Sequence, residues 1–384
     1  MEVDILLKKF FKALLAWCLA FVVAFSCVNL ACYFYRSGAG SISRGNAYSI
    51  SIRTPNSRIV RGAEGYGINY IDEKGYPNTN NLPLSNNYIL LMGSSHAEGL
   101  QVMQKDNMAT VLNNMIDPNV RTVYNLGTAG YTLPLIVQGF QAAIEEFPNA
   151  SAIMIEVSEL YFTNDDFKKA MNQAKYDPAS SGEALVQSQS TKTRIRNWML
   201  STLPVISLLR ERFESINVSW DGAFGSDQFV SAPTANETKN DNANVALDTA
   251  TDEQSKITAE GSDTSGSGSF FEALNQTLAL LRTEYHKPII LLYHPRVAIQ
   301  PDGTMSIERE MSNYNDYLVA CEKNDIVFVD TGDAFLKAYE TDYTVPYGFS
   351  NTTIGNGHLN QAGHRIVAEE FYKAWIKIQD EEKN

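Results

Sequence analysis

The chain has 384 residues, of which 44% are hydrophobic and 20% are charged, so it can bury one large core and still carry accessory segments. Its formal net charge of −13 at pH 7 would repel a phosphate backbone. These numbers favour a globular protein with room for an enzyme and argue against nucleic acid as a partner.

The N-terminal segment predicts a membrane anchor. Lys8, Lys9 and Lys12 precede an uncharged run of about 23 residues at 13–35, which is long enough to cross a hydrocarbon core of about 30 Å as a helix. Because basic residues stay on the cytoplasmic side, we expect a single-pass protein of the cell membrane whose chain beyond Arg36 is extracytoplasmic. A cleaved signal peptide is the alternative, but the run exceeds the usual apolar length of about 7 to 15 residues.

Three of the four cysteines lie in this apolar run, which leaves Cys321 alone in the exported part. No intrachain disulfide can therefore staple that part. Cys321 follows Tyr317 and Leu318 at helical spacing, so a packed core thiol is favoured over a nucleophile. No Cys/His cluster has the spacing of zinc ligands, and we expect neither a metal nor a cofactor.

Residues 37–86 are rich in Gly, Asn, Ser and Pro, with short alternating stretches and turn signals, and predict a stalk and a small β-rich preface. From residue 87 onward, short apolar runs rich in β-branched residues predict buried parallel strands. The five runs are at 88–92, 122–126, 153–157, 289–293 and 326–329.

Between these runs apolar residues recur every three or four positions, as one face of a helix requires, and a final helix is predicted at 362–379. Strands alternating with helices predict a three-layer α/β/α domain around a central five-stranded parallel sheet. We expect its first part at 87–230 and its second part at 270–384. Such a sheet binds ligands at the carboxyl ends of its strands.

Residues 231–269 contain no aromatic residue and are dominated by small and polar types, so we expect a disordered insertion there. The preceding segment, 195–213, predicts a helix that contains Pro204. This helix would cover the active face as a lid, lie near the membrane, or simply pack against the domain.

The first predicted strand ends in Gly93, Ser94 and Ser95. Small residues at a strand-to-helix turn expose a hydroxyl and aim the N–H groups of the next helix at it. The same residues also suit a plain helix N-cap. The second strand ends in the sequence NLGTAG (125–130), whose glycines permit close approach of a ligand and offer a backbone N–H for an oxyanion.

His358 lies in the sequence NGHLNQAGH (356–364), after the last strand and before the last helix. In a parallel sheet this position shares an edge with Ser95, and an imidazole within about 3 Å of a serine hydroxyl acts as its general base. His364 is expected to pack or to cap. The remaining histidines have no evident acidic or metal partner in the sequence and are expected to be structural or solvated: His96, His286 and His294.

Together these loops resemble the SGNH, or GDSL-type, hydrolase superfamily over about residues 88–375, without the insertion. The sequence LMGSS (91–95) is similar to the family's first block, Gly-Asp-Ser, with Ser95 in the place of the nucleophile and Ser94 in the place of the usual Asp. The same variant resembles membrane-anchored cell-envelope members such as the D-alanyl transfer protein.

The second and last blocks extend the resemblance. Residues 125–130 are similar to the second block, which implies that Gly130 supplies an oxyanion N–H beside that of Ser95. Residues 357–364 are similar to the final block, which gives His358 the place of the catalytic base.

Two positions depart from the family pattern. The usual Asp three residues before the histidine is replaced by Gly355, so Asn356 is the nearest polar residue available to orient His358. A backbone carbonyl or a carboxylate from elsewhere in the chain is the alternative partner. The third block's asparagine is absent in register, and Asn164, four residues late, is the candidate for the third oxyanion donor.

The resemblance implies a serine esterase or O-acyltransferase that acts through a Ser95–His358 acyl-enzyme, without a cofactor. Its expected substrate is an acyl group, acetyl foremost, on cell-envelope or extracellular carbohydrate. The incomplete triad leaves a second interpretation open, a catalytically silent envelope protein that binds glycan or partners a membrane acyltransferase.

Overall fold

The computed structural model describes residues 2–35, 41–43, 51–79, 87–116, 122–163, 266–309 and 311–381, with short pieces at 167–168, 195, 199, 203–206 and 208–209. Asn164, most of the predicted helix at 195–213 and most of the predicted insertion lie outside the described residues. In chain order the helices and strands are α1 (Glu2–Tyr35), β1 (Ser41–Ser43), β2 (Ser51–Arg53), β3 (Ser57–Arg61), β4 (Gly67–Ile71), β5 (Tyr88–Met92), α2 (Ser95–Glu98), α3 (Met108–Met115), β6 (Thr122–Asn125), α4 (Leu133–Glu146), β7 (Ala150–Val157), α5 (Gly266–Glu284), β8 (Ile289–Tyr293), β9 (Arg296–Ile299), β10 (Met305–Glu308), α6 (Met311–Lys323), β11 (Val327–Asp330), α7 (Gly332–Asp342) and α8 (Gln361–Glu381).

The central sheet has the strand order β6-β5-β7-β8-β11, and every neighbouring pair is parallel. This is the order of flavodoxin-like doubly wound sheets, in which the chain reverses direction beside its first strand. The predicted five-stranded parallel sheet is confirmed, and the strand ends lie within three residues of the predicted ones. Helix α5 begins at Gly266, inside the insertion predicted at 231–269.

Helices cover the sheet on both faces. Leu90 of β5 belongs to a core with Phe140 of α4 and Leu274 of α5, whereas its neighbour Leu91 belongs to a second core with Phe371 of α8. Both leucines are completely buried. A strand buried on its two faces needs apolar side chains at every position, which is why its sequence does not alternate.

Helix α1 includes an apolar stretch, Leu7–Tyr35, with a mean hydropathy of 2.2 and no buried residue. Its length and composition are sufficient to span a membrane, and a signal sequence near an N-terminus meets the same criteria. Cys321, in contrast, is buried in the core, and burial raises the pKa of its thiol to about 12. This thiol is a packing group at neutral pH.

The preface packs directly on the α/β domain. Strands β3 and β4 form an antiparallel hairpin, and Arg53 at the end of β2 makes a bidentate pair with Glu98 of α2 at 2.7 and 3.1 Å. Bidentate guanidinium–carboxylate pairs fix orientation as well as distance. The described part of the preface is therefore joined to the same short helix that begins with Ser95.

Candidate active site

Ser95 is the first residue of α2, at the carboxyl end of β5. Ser94 caps this helix, and its hydroxyl accepts a hydrogen bond from the backbone N–H of His96 at 3.1 Å. Only glycine fits at position 93, because an added Cβ would lie 2.4 Å from a carboxylate oxygen of Glu156. The tight turn brings the Ser95 hydroxyl to the edge of the sheet where strand order reverses.

His358 meets Ser95 at this edge, with Nε2 at 2.9 Å from Oγ. Its loop is held on both sides, since its carbonyl accepts from the N–H of Gly348 at 3.1 Å and the next residue, Leu359, is fully buried. Asn360 then caps α8 by accepting from the N–H groups of two residues in its first turn. The imidazole is therefore positioned by a capped helix and a buried anchor residue.

The second ring nitrogen of His358 binds Glu64, which sequence reasoning missed. Nδ1 lies 2.6 Å from Oε2 of Glu64, and the backbone N–H of His358 donates to Oε1 at 2.7 Å. A carboxylate only accepts, so Nδ1 carries the proton and Nε2 presents a lone pair to Ser95. Burial by itself would raise the pKa of Glu64, but its hydrogen bonds to His358 and the electrostatic attraction of that ring hold the pKa below its usual value.

Glu64 reaches the site from the turn of the β3–β4 hairpin. The side chain of Asn351 clamps this turn, accepting from the N–H of Gly65 at 2.9 Å and donating to the carbonyls of Gly62 and Gly65 at 3.0 and 3.2 Å. Gly357 has a φ of +82°, and an added Cβ would lie 2.2 Å from Oε1 of Glu64. The backbone on both sides of the pair is shaped to let the carboxylate approach.

The assignment of Asn356 as the residue that orients His358 is corrected. Asn356 is exposed, its backbone N–H donates to the carbonyl of Thr353 at 3.3 Å, and Nδ1 of His358 is bound by Glu64 instead. The physical reason is the left-handed turn at Gly355 and Gly357, which turns the loop toward the hairpin. The signal available in the sequence was the missing Asp itself, which called for a carboxylate from another segment.

The loop after β6 lies against the turn that carries Ser95. The N–H of Thr128 donates to the carbonyl of Gly93 at 3.0 Å, and an added Cβ on Gly127 would lie 2.2 Å from the backbone nitrogen of Glu98. Gly130 ends this loop with a φ of +79°, is exposed, and has no atom within 4 Å of the position of a Cβ. The structure thus leaves open space beside Gly130, the predicted oxyanion donor, whereas Asn164 lies outside the described residues.

A second polar network is buried beneath the first. Glu156 of β7 accepts from the N–H and the hydroxyl of Ser94 at 2.7 and 2.9 Å and binds Nε2 of His294 at 2.5 Å. Nδ1 of His294 contacts the hydroxyl of Tyr347 at 2.6 Å. Burial would raise the pKa of Glu156, but the charge and hydrogen bond of His294, with those of Ser94, hold it below the usual value. The carboxylate therefore stays ionised and fixes the turn that carries Ser95.

This network corrects the expectation that His294 lacks an acidic partner. A single carboxylate inside the otherwise apolar run at 153–157 was a signal for it, because an unpaired charge in a strand covered on both faces is too costly to bury. The exposed His286 agrees with the expected solvated role.

Two more histidines pack around the site in neutral form. The ring of His96 lies between those of His294 and His358, with centroids 4.7 and 5.0 Å away, and its Nδ1 accepts from the N–H of Leu359 at 3.1 Å. Burial first, then the electrostatic effect of the neighbouring histidines and Arg296, keeps the pKa of His96 well below its usual value. His364 is also buried, accepts from the N–H of Met108 at 3.3 Å, and has its pKa lowered by burial to about 3.

No family model matches the chain, and no curated protein matches it. Solved structures similar to it include a member of the lipolytic G-D-S-L family from Veillonella parvula, at 12% identity and a TM-score of 0.32 over 75% of this chain and 97% of that one. An acetylxylan esterase from Geobacillus stearothermophilus matches at 15% identity and a TM-score of 0.33 over 75% and 94%. The esterase EstA from Pseudoalteromonas matches at 10% identity and a TM-score of 0.36 over 77% and 99%.

Proposed function

We propose that this chain is a serine-dependent acyl ester hydrolase or O-acyltransferase of the SGNH type. Ser95 is its nucleophile, His358 its general base and Glu64 the acid that orients the base. The observation that carries the proposal is the continuous contact from Ser95 Oγ to His358 at 2.9 Å and from His358 to Glu64 at 2.6 Å. Three segments remote in the sequence converge on this arrangement, which is that of an activated nucleophile.

The reaction proceeds by acyl transfer in two halves. Nε2 of His358 takes the proton of Ser95, and Oγ attacks the ester carbonyl carbon to form a tetrahedral oxyanion. The N–H groups of Ser95 and Gly130 stabilise the oxyanion, and each such donor contributes about 10²-fold to 10³-fold in turnover. His358 then gives its proton to the leaving alkoxide oxygen, which breaks the ester bond and leaves the acyl group on Ser95.

In the second half, His358 removes a proton from water or from an acceptor hydroxyl, which attacks the acyl-enzyme. Collapse of the new tetrahedral intermediate returns the proton to Oγ of Ser95 and releases the acid or the new ester. Throughout both halves the anionic Glu64 stabilises the imidazolium that forms on His358 and keeps its tautomer.

The proposed substrate is an acyl group, acetyl foremost, on cell-envelope or extracellular carbohydrate. Two features support it: the resemblance of the Gly-Ser-Ser turn to membrane-anchored envelope members, and helix α1, which we propose to be an uncleaved anchor with a cytoplasmic N-terminus. Substrate identity rests on the resemblance and on location, because a fold alone does not fix the substrate.

A serine-directed fluorophosphonate tests the nucleophile without knowledge of the natural ester. We expect labelling of the full chain in detergent and its loss in Ser95→Ala. Ser151→Ala is the matched control, because Ser151 lies near the amino end of β7, at the edge of the sheet opposite to Ser95. Its hydroxyl donates to the carbonyl of Tyr88 at 3.1 Å. No labelling of the folded wild-type chain would overturn the proposal and favour a silent glycan-binding protein.

Hydrolase and transferase are separated by the fate of the acyl group. With an aryl acetate as donor, we expect an added carbohydrate acceptor to divert acetyl from water if the chain is a transferase. A hydrolase would release acetate at the same rate with or without the acceptor.

A further inference from the structure

The last turn of α1 packs on the hairpin that carries Glu64. The hydroxyl of Tyr66 donates to the carbonyl of Phe34 at 2.7 Å, and the guanidinium of Arg58 lies 4.8 Å from the ring centroid of Tyr33. At Gly62 an added Cβ would lie 2.8 Å from the carbonyl oxygen of Tyr35. The end of the apolar helix therefore contacts the hairpin on β3 and at its turn.

The same hairpin contacts His358 through Glu64. Gly62, which contacts α1, is two residues from Glu64, so their Cα atoms lie within about 7 Å of each other. A two-stranded hairpin is marginally stable by itself in water, so its packing partners must hold the turn in place. The described partners of the turn that carries Glu64 are Asn351, the backbone carbonyl of Gln101 and ring of Phe349 beside Gly65, and the last turn of α1.

We propose that helix α1 is a positioning element of the triad, acting through Gly62 and Tyr66 to hold Glu64 against His358. This inference rests on the proposed function. It adds that helix α1 supports catalysis as well as attaching the chain to the membrane. It follows that loosening the contact between helix and hairpin lowers turnover by the same route as removal of the Glu64 carboxylate.

The test uses the full chain in lipid nanodiscs with a water-soluble aryl acetate as substrate. Gly62→Val forces the hairpin away from the Tyr35 carbonyl, and Tyr66→Phe removes one hydrogen bond with little change of shape. Tyr70→Phe is the matched control, because Tyr70 lies on β4 of the same hairpin and is half-exposed. We expect Gly62→Val to lower kcat most, Tyr66→Phe to lower it about 3-fold to 10-fold as for one lost hydrogen bond, and Tyr70→Phe to leave it unchanged.

The deciding measurement is a double-mutant cycle with Glu64→Gln. If Gly62 and Tyr66 act through Glu64, their substitutions lower kcat in the wild-type background and have little further effect in the Glu64→Gln background. A purely structural role would lower kcat by the same factor in both backgrounds.

Two outcomes would overturn the inference and are distinguishable from failure of the proposed function. The first outcome is an equal loss of kcat in both backgrounds. The second is no loss of kcat in either hairpin variant while Glu64→Gln remains slow. Either result would refute the positioning role of α1 and leave the proposed triad standing. Full turnover in Glu64→Gln would show that Glu64 is not the acid of a triad. In that case α1 would have no catalytic carboxylate to position.

Discussion

The substitution Glu64→Gln tests the acid of the triad most directly. It keeps the size of the side chain but removes the charge that faces Nδ1 of His358 at 2.6 Å. For centres of charge about 4 Å apart and an effective dielectric constant of about 20, the Coulomb energy is about 4 kcal/mol. That energy corresponds to about 10³-fold in rate if it is realised only when the imidazolium forms.

Solvent reduces this figure, because the side chains of His358 and Glu64 are 14% and 26% exposed. We therefore expect kcat to fall about 10²-fold to 10³-fold. KM should change little, since the carboxylate contacts the imidazole and has no contact with the ester in the proposed mechanism.

The assay is steady-state hydrolysis of an aryl acetate, with the rate constant of fluorophosphonate labelling as a second readout. Asn356→Ala is the control, because this exposed residue is the one that the sequence offered for the same role. Less than a threefold loss in Glu64→Gln, or an equal loss in Asn356→Ala, would refute the assignment of the acid.

Two further predictions concern buried groups. Glu156→Gln should lower the free energy of unfolding by about 2 to 3 kcal/mol, because it weakens charge-assisted hydrogen bonds to Ser94 and His294; urea unfolding that matches the wild type would contradict this. His364 has a pKa of about 3 in the folded state, below its value of about 6.5 in the unfolded state. As the pH falls between these two values, only the unfolded state binds a proton at this histidine. Stability therefore falls with falling pH, and between pH 7 and 5 this histidine should account for about 2 kcal/mol of the loss. We expect His364→Leu to flatten the pH dependence of urea unfolding by that amount, and an unchanged slope would exclude the linkage.

The sheet was predictable because its signal is local. Each central strand is a short apolar run buried on both faces, so composition alone marked β5 and β8 at their observed bounds. The β9–β10 hairpin was not predicted, since Arg296–Ile299 follows β8 after only two residues and lacks a run of its own. Short antiparallel strand pairs at the surface bury few side chains, so they do not require a distinctive apolar pattern in the sequence.

The site was predictable only in part, for a related reason. Ser95 lies at the junction of β5 and α2, where the topology of a parallel sheet predicts a site. His358 lies in the loop between α7 and α8, and this loop brings its ring to 2.9 Å from the Ser95 hydroxyl. Glu64 lies outside that repeat, on a hairpin 294 residues before His358. Its position depends on tertiary contacts with Asn351 and Gly357, and no periodicity in the sequence encodes these.

The hairpin that carries Glu64 also sets the smallest useful recombinant fragment. A fragment that starts at Tyr88 would retain the whole parallel sheet and the proposed nucleophile and base, and would still lack Glu64, the proposed third member of the triad. It would also lose the Arg53 partner of Glu98 in the helix that begins with Ser95. Such a truncation would retain only part of the proposed site, so its inactivity would say nothing about the activity of the full chain.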